Sequence, residues 1–177
     1  GVHEMAERLI ASGQFEGPAP RQHLSQNVEH CPIHNAWQAK RDHLIPEDYP
    51  PHDVEVYSDY LMNKGPAYGQ VGAVHDILKA SNGQTYVVER ADAVAAKTLF
   101  ESTEGIDIMT PGGVALASLQ QALASGEVKS DESTVLNISG GGVERLKREY
   151  ETAPVEPWLR VTKENGAAMI VEALSQD

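Results

Sequence analysis

The sequence predicts an α/β layered domain, a largely parallel sheet flanked by helices, on three observations. Segments rich in β-branched residues, TYVVE at 85–89 and TVLNI at 134–138, alternate with stretches of helical periodicity. Glycine-bearing turns, SNG at 81–83 and SGGG at 139–142, separate them. Finally, 177 residues with 41% hydrophobic content suffice for one core and are few for two full domains, and no internal repeat or low-complexity stretch interrupts them. Strands alternating with helices at this spacing indicate parallel pairing with helices on the faces.

The elements follow in chain order. Met5, Leu9 and Ile10 recur at helical spacing, and Gly13 stands where a left-handed cap would end the helix, which predicts a helix over 3–12. GQFEGPAPRQ at 13–22 reads as a loop entering a short strand at 23–26. Between 29 and 51 histidines, prolines and charges mix, with one helix at 33–40. A helix over 70–80 should stop at the SNG turn, and the strand 85–89 follows. Asp92 is a candidate cap for the next helix, which leads through Val94, Lys97, Thr98 and Leu99 to TEGI. Thr110 as N-cap with Pro111 in the first helical position predicts a helix to Ser125, before Gly126. TVLNI then reads as a buried strand, SGGG as its turn and VERLKREYE as the helix beyond, with 151–177 a C-terminal extension of the same single domain.

Charge narrows the partners. Twenty-six acidic against 14 basic residues give a net charge of -12, the same sign as nucleic acid and anionic membranes, so neither is an expected partner. The longest apolar runs, such as VALASL at 114–119, fall well short of the roughly 20 residues that span a bilayer. Cys31 is the single cysteine, which excludes an internal disulfide and makes a cytoplasmic setting the default. GVHEMAERLI lacks the basic start and apolar stretch of a signal peptide. Gly1 in place of methionine fits a trimmed methionine and a fragment equally well.

LNISGGG at 136–142 is the most informative segment. Three glycines after a strand let backbone approach a ligand closely, and the helix behind them adds free N–H groups, so the turn suits an anion or a flat cofactor. Ligands of open α/β sheets bind beyond the carboxyl ends of strands, where Ser139 would sit. A plain strand-to-helix connection would use glycines too, and Ser139 would then only close its own turn. Asn137 could orient that hydroxyl or satisfy strand backbone. A second constellation is HCPIH at 30–34: His30, Cys31 and His34 are metal-ligand types, but a zinc site needs three or four ligands at recognisable spacing, and His23, His43 or His52 would have to join through folding. Our assignment there is no metal.

TEGIDIMTPGGVALASLQQALASGEV followed by VLNISGGGVERLKRE resembles the closing region of fold type II pyridoxal-phosphate enzymes, in the cysteate synthase branch related to threonine synthase. HLSQNVEHCPIHNAW, YLMNKGPAYGQVGAVHDILKASNGQTYVV and AAKTLFESTEGID fit in the same order, so the resemblance runs from Gly1 to about Glu149. It implies the C-terminal part of the large domain of such an enzyme, acting as a lyase or transferase at the β or γ carbon of an amino acid, as with phosphoserine and sulfite. Ser139 matches the hydroxyl that bonds the pyridine nitrogen, with Asn137, Gly140 and Gly141 beside it. Glu104 and Gly105 would border the cofactor face, although Glu104 also suits a solvated helix end. A neutral hydroxyl leaves the ring nitrogen unprotonated, a setting for elimination and replacement.

The resemblance also says what lies elsewhere. The family's cofactor-binding lysine and its oxygen-contacting asparagine belong to an amino-terminal portion, and Gly1 matches the last glycine of the phosphate loop. Lys40, Lys64, Lys79 and Lys97 fit exposed positions better than a desolvated nucleophile, so no catalytic residue is assigned. The family carries apolar, aromatic or small residues where this chain has His30 and Cys31. The implied partners are an N-terminal half or second subunit and a small amino-acid substrate, in an oligomer, because a sheet divided here leaves edges and apolar helix faces uncovered. A non-catalytic binding or regulatory module that keeps the fold is the alternative, followed by a metal-binding protein using His30, Cys31 and His34.

Overall fold

The computed structural model describes residues 1–51, 54–162 and 164–175. It is α/β, with a small parallel sheet and helices. The chain divides into two compact units, Gly1–Glu144 and Arg145–Asp177.

The first helix, α1 (Val2–Ala11), ends as expected: Gly13 adopts φ +71, and the Gln14 and Phe15 amides donate to the Leu9 carbonyl. Strand β1 (His23–Asn27) leads to α2 (Pro32–Gln38), and α3 (Val74–Ala80) leads to β2 (Gln84–Val88). The strands pair in parallel from His23 opposite Gln84 to Asn27 opposite Val88. Helix α3 starts later than the expected 70–80. Gly72 at φ +74 breaks the helical path, and its amide donates to the Asp76 carboxylate, which fixes the start at Val74.

Helix α4 (Arg90–Glu104) leaves the sheet at once, with Glu89 extended as the flanking residue. Asp92 is therefore not the cap. It lies in the first turn, where its charge still favours the positive end of the helix. In α5 (Thr110–Ala124) Met109 flanks the helix, Thr110 is its first residue, and the threonine hydroxyl is turned to Ser58 instead of to its own helix. Residues 134–138 form no strand. A strand exists only through a neighbour's hydrogen bonds, and β1 and β2 pair with each other alone among the described residues. Val135 is 94% exposed in consequence.

Alternation along the strands builds the layers. Tyr86 and Val88 face α5, packing with Ala122 and Val128 and with Ala93, Ala96, Val114 and Ala117. Thr85 faces the other way, to His34 of α2, where Ile33, Ala36 and Tyr68 gather Leu24, Leu44 and Val74. Helices α4 and α5 meet through small residues: a Cβ on Gly113 would lie 2.7 Å from the Ala93 carbonyl oxygen. Arg21 ties the far end of the sheet, donating to the carbonyls of Asn82 and Glu127 and to the Glu127 carboxylate.

A buried ion pair braces the connection after α2. Asp48 is 3% exposed, bound by Arg41 and by the Ile45 amide, and the guanidinium holds its carboxyl below the usual carboxylate range against the opposing effect of burial. Tyr68 donates its hydroxyl to the Arg41 carbonyl, and burial pushes that phenol up to about 12.

Helix α6 (Val143–Glu149) precedes a long irregular stretch. Within the second unit, Asn165 flanks α7 (Gly166–Leu174), its side chain accepting from the Thr162 amide and hydroxyl. Val155, Trp158, Val171 and Leu174 are exposed. Among the described residues no helix is long and apolar enough to cross a membrane.

Two outcomes test this packing. Gly113→Ala should separate α4 from α5 and destabilise the chain by about 1–3 kcal/mol in urea unfolding. Because the folded pKa of Asp48 is depressed, its contribution is present above the ordinary carboxylate pKa of about 4 and is lost as pH falls through the folded value. Urea midpoints measured from pH 6 downward should fall less steeply in Asp48→Asn than in the unaltered chain.

Candidate functional site

The carboxyl end of β1 is held by polar side chains. Asn27, buried at the last strand position, donates Nδ2–H to the Ser58 carbonyl at 2.9 Å and accepts the Ser58 amide on Oδ1 at 3.2 Å. Ser58 is wholly buried, and its Oγ accepts from the Thr110 hydroxyl at 3.0 Å. The turn that follows Asn27 brings His30 round, and its Nε2–H donates to the Asn63 carbonyl at 3.0 Å. The segment from Ser58 to Asn63 is thus clipped at both ends by one turn of β1. Burial of these polar groups requires such pairing, since an unbonded amide inside the protein costs about 1–3 kcal/mol.

The glycine run lies against the residues that lead into α5. The Met109 amide donates to the Gly140 carbonyl and the Gly142 amide to the Asp107 carbonyl, both at 3.0 Å, around an antiparallel bridge of Ile108 with Gly141. Space explains the composition. A Cβ on Gly141 would fall on the Asp107 carbonyl oxygen, one on Gly140 would meet the Met109 sulfur at 3.0 Å, and Gly142 sits at φ +77. The Glu144 amide at the start of α6 donates to the Asp107 carboxylate. Ser139 and Asn137 are exposed at the head of this run, and neither side chain bonds another described residue. Ser139 therefore stands on pinned backbone, not at the end of a strand as the sequence suggested.

The other nominated residues divide. Gly105 ends α4 at φ +68, with its amide on the Glu101 carbonyl, and Glu104 before it is exposed. The Ile108 amide donates to the Glu101 carboxylate, so the end of α4 and the glycine run share the segment 107–109. Gly1 flanks α1, its carbonyl accepting the Met5 amide, and among the described residues no hydrogen bond joins it to the glycine run. Lys40, Lys64 and Lys79 are exposed, and Lys97 pairs with Glu101.

HCPIH is engaged by the protein itself. His34 Nδ1 stands 2.9 Å from the Thr85 hydroxyl, and the His34 amide donates to Gln26. Burial lowers the His34 imidazole below its ordinary range, the Thr85 bond opposing. Burial likewise pushes the Cys31 thiol up, so Cys31 remains a thiol that donates to the Val28 carbonyl and Asn35. Among the described residues no group of three or more His, Cys, Asp or Glu side chains is placed to hold a metal ion, and His52 lies outside them. His23 stacks on Tyr86, and His43 bonds Asp42.

Asn27, Ser58 and the outward role of Thr110 were missed by sequence reasoning. The signal was present in part: HLSQN ends in two consecutive amides, which a strand buried on both faces tolerates only where partners await them.

No family model matches the chain. Curated proteins do. The chain is 43% identical over 160 residues to the cysteate synthase of Methanosarcina barkeri, covering 88% of this chain and 38% of that protein. It is 46% identical over 162 residues to that of Methanocella arvoryzae, with 89% and 39% covered, and 43% identical over 156 residues to that of Methanocorpusculum labreanum, with 86% and 38% covered. The chain spans less than two-fifths of the length of the curated relatives it matches. The resemblance read from the sequence is thus borne out over most of this chain, as similarity to a part of cysteate synthase.

The glycine packing yields a test that needs no ligand. Gly141→Ala should break the bridge to Ile108 and make 139–144 sensitive to limited proteolysis, whereas Gly65→Ala, an exposed position where the added Cβ meets nothing within 4 Å, should leave cleavage there unchanged.

Proposed function

We propose that the chain is the C-terminal component of a pyridoxal-phosphate-dependent enzyme of fold type II, similar to cysteate synthase, which replaces the phosphate of phosphoserine by sulfite. The similarity to cysteate synthases over 86–89% of the chain carries this reading. In the net reaction the Cβ–O bond to phosphate breaks, a Cβ–S bond to sulfite forms, and phosphate leaves with the bonding pair. A threonine synthase-like variant acting at the γ carbon is the runner-up within the same class.

The residues present suit the cofactor on one physical ground. Ser139 keeps an exposed hydroxyl with no bond to another described residue, on backbone held between Asp107 and Gly142. A hydroxyl so placed would meet the ring nitrogen and hold its own proton at Oγ, leaving that nitrogen neutral; Gly140 and Gly141 would let the ring approach, and Asn137 would flank it. Glu104 and Gly105 would border the same face, and Gly1 would contribute backbone toward the phosphate. When bound, pyridoxal phosphate supplies the electron-withdrawing ring that eases removal of the α proton and departure of the β substituent. The lysine and the remaining site would come from an N-terminal half or a second subunit, which would also cover apolar surface such as Val135, in a cytoplasmic oligomer.

The test is complementation. Mixed with the N-terminal portion of a cysteate synthase, the chain should support sulfite-dependent phosphate release from phosphoserine, with neither part active alone. Ser139→Ala in the mixture should lower the rate about 10- to 100-fold, the loss of one hydrogen bond in a water-poor site. Phosphate release by the chain alone would overturn the shared-site reading. Stable association of the two parts with no turnover would favour a binding module that retains the fold.

A further inference from the structure

Ser58 is the most buried polar residue among the described residues, yet nothing in the proposed chemistry uses it. Its peptide is gripped on both sides by the Asn27 carboxamide, and its hydroxyl accepts from Thr110. Thr110 opens α5, and the residue before it, Met109, donates its amide to Gly140. Asp107, two residues further back, accepts from Gly142 and Glu144. A continuous path of hydrogen bonds and short backbone steps therefore runs from the end of β1 to the residue after Ser139. Its first two side chains are sealed from water, where an amide or hydroxyl without its partner costs the most.

We infer that Asn27, Ser58 and Thr110 are positioning residues: they fix the first turn of α5 relative to the sheet and so set where the Ser139 hydroxyl stands. The Thr110 side chain supports this. As a helix cap it would bond its own helix, yet it makes no capping bond and reaches 52 positions back along the chain. Such a contact adds nothing to the helix locally and everything to its register against β1. The glycine run has no apolar anchor of its own; Gly140 and Gly141 contribute only backbone, so their placement follows 107–109. The relevance to a ligand at Ser139 rests on the function proposed above, whereas the mechanical coupling does not.

The test has two arms. In the first, amide hydrogen exchange is followed in the 177-residue chain carrying Thr110→Val, Thr110→Ser or Ser58→Ala. Thr110→Val and Ser58→Ala should speed exchange at Met109 and Gly142 at least 10-fold while leaving Gly83 and Gln84, at the opposite end of the sheet, unchanged. Thr110→Ser should restore protection. Unchanged protection at Met109 and Gly142 in a folded variant overturns the inference, and so does loss of protection everywhere in both variants, since the network would then hold the fold at large.

In the second arm, pyridoxal phosphate affinity is measured in the complemented protein. Thr110→Val should weaken it about 10-fold alone and little further when Ser139→Ala is already present. Fully additive effects would show that Thr110 does not act through Ser139. If the unaltered complemented protein binds no pyridoxal phosphate, the proposed function fails, and the exchange arm still decides the coupling.

Discussion

Ala93 and Gly113 lie so close that a carbonyl oxygen occupies the space a side chain would need, and the architecture rests on that contact. It allows α4 and α5 to pack almost backbone to backbone, with Ala96, Val114 and Ala117 filling the seam beneath Val88. Once α5 is seated, both of its ends are tied by hydrogen bonds near the carboxyl ends of the strands. Gln121 in its last turns caps the Val87 carbonyl, and Thr110 in its first reaches Ser58. A two-stranded sheet is too small to hold itself together, so the helix layers do most of that work.

Local chemistry was legible in the sequence wherever a single residue dictates a backbone conformation. Gly13 ended α1, the turn 81–83 separated α3 from β2, and Gly105 and Gly126 closed α4 and α5. Where outcome depended on a distant partner, the reading failed in instructive ways. TVLNI has every local mark of a strand, but a strand is a property of two segments, and among the described residues none pairs with it. Thr110 has the composition of a cap and is spent on a tertiary bond instead. Asp92 lost the capping position because the chain turns straight from strand into helix.

The same distinction governs the candidate site. SGGG stood out because three glycines in a row are costly without a reason, and the reason is crowding against 107–109. The resemblance then implied a role for Ser139 that spacing alone could not. The bonds that join Asn27, Ser58 and Thr110 were invisible, because these residues are separated by 31 and 52 positions and share no motif. HCPIH, conspicuous in sequence, turned out to be committed internally, each ring and thiol bonded to a different neighbour.

The stretch 134–138, exposed at Thr134, Val135 and Asn137, carries a liability of its own. It is β-branched, uncharged and without proline, the composition that stacks into cross-β assemblies and that chaperones recognise on unfinished proteins. Charged residues on both sides, Asp131 and Glu132 before it and Glu144 after, act as gatekeepers that slow such stacking. Self-association through this stretch is the physical risk that the exposure of Thr134, Val135 and Asn137 carries.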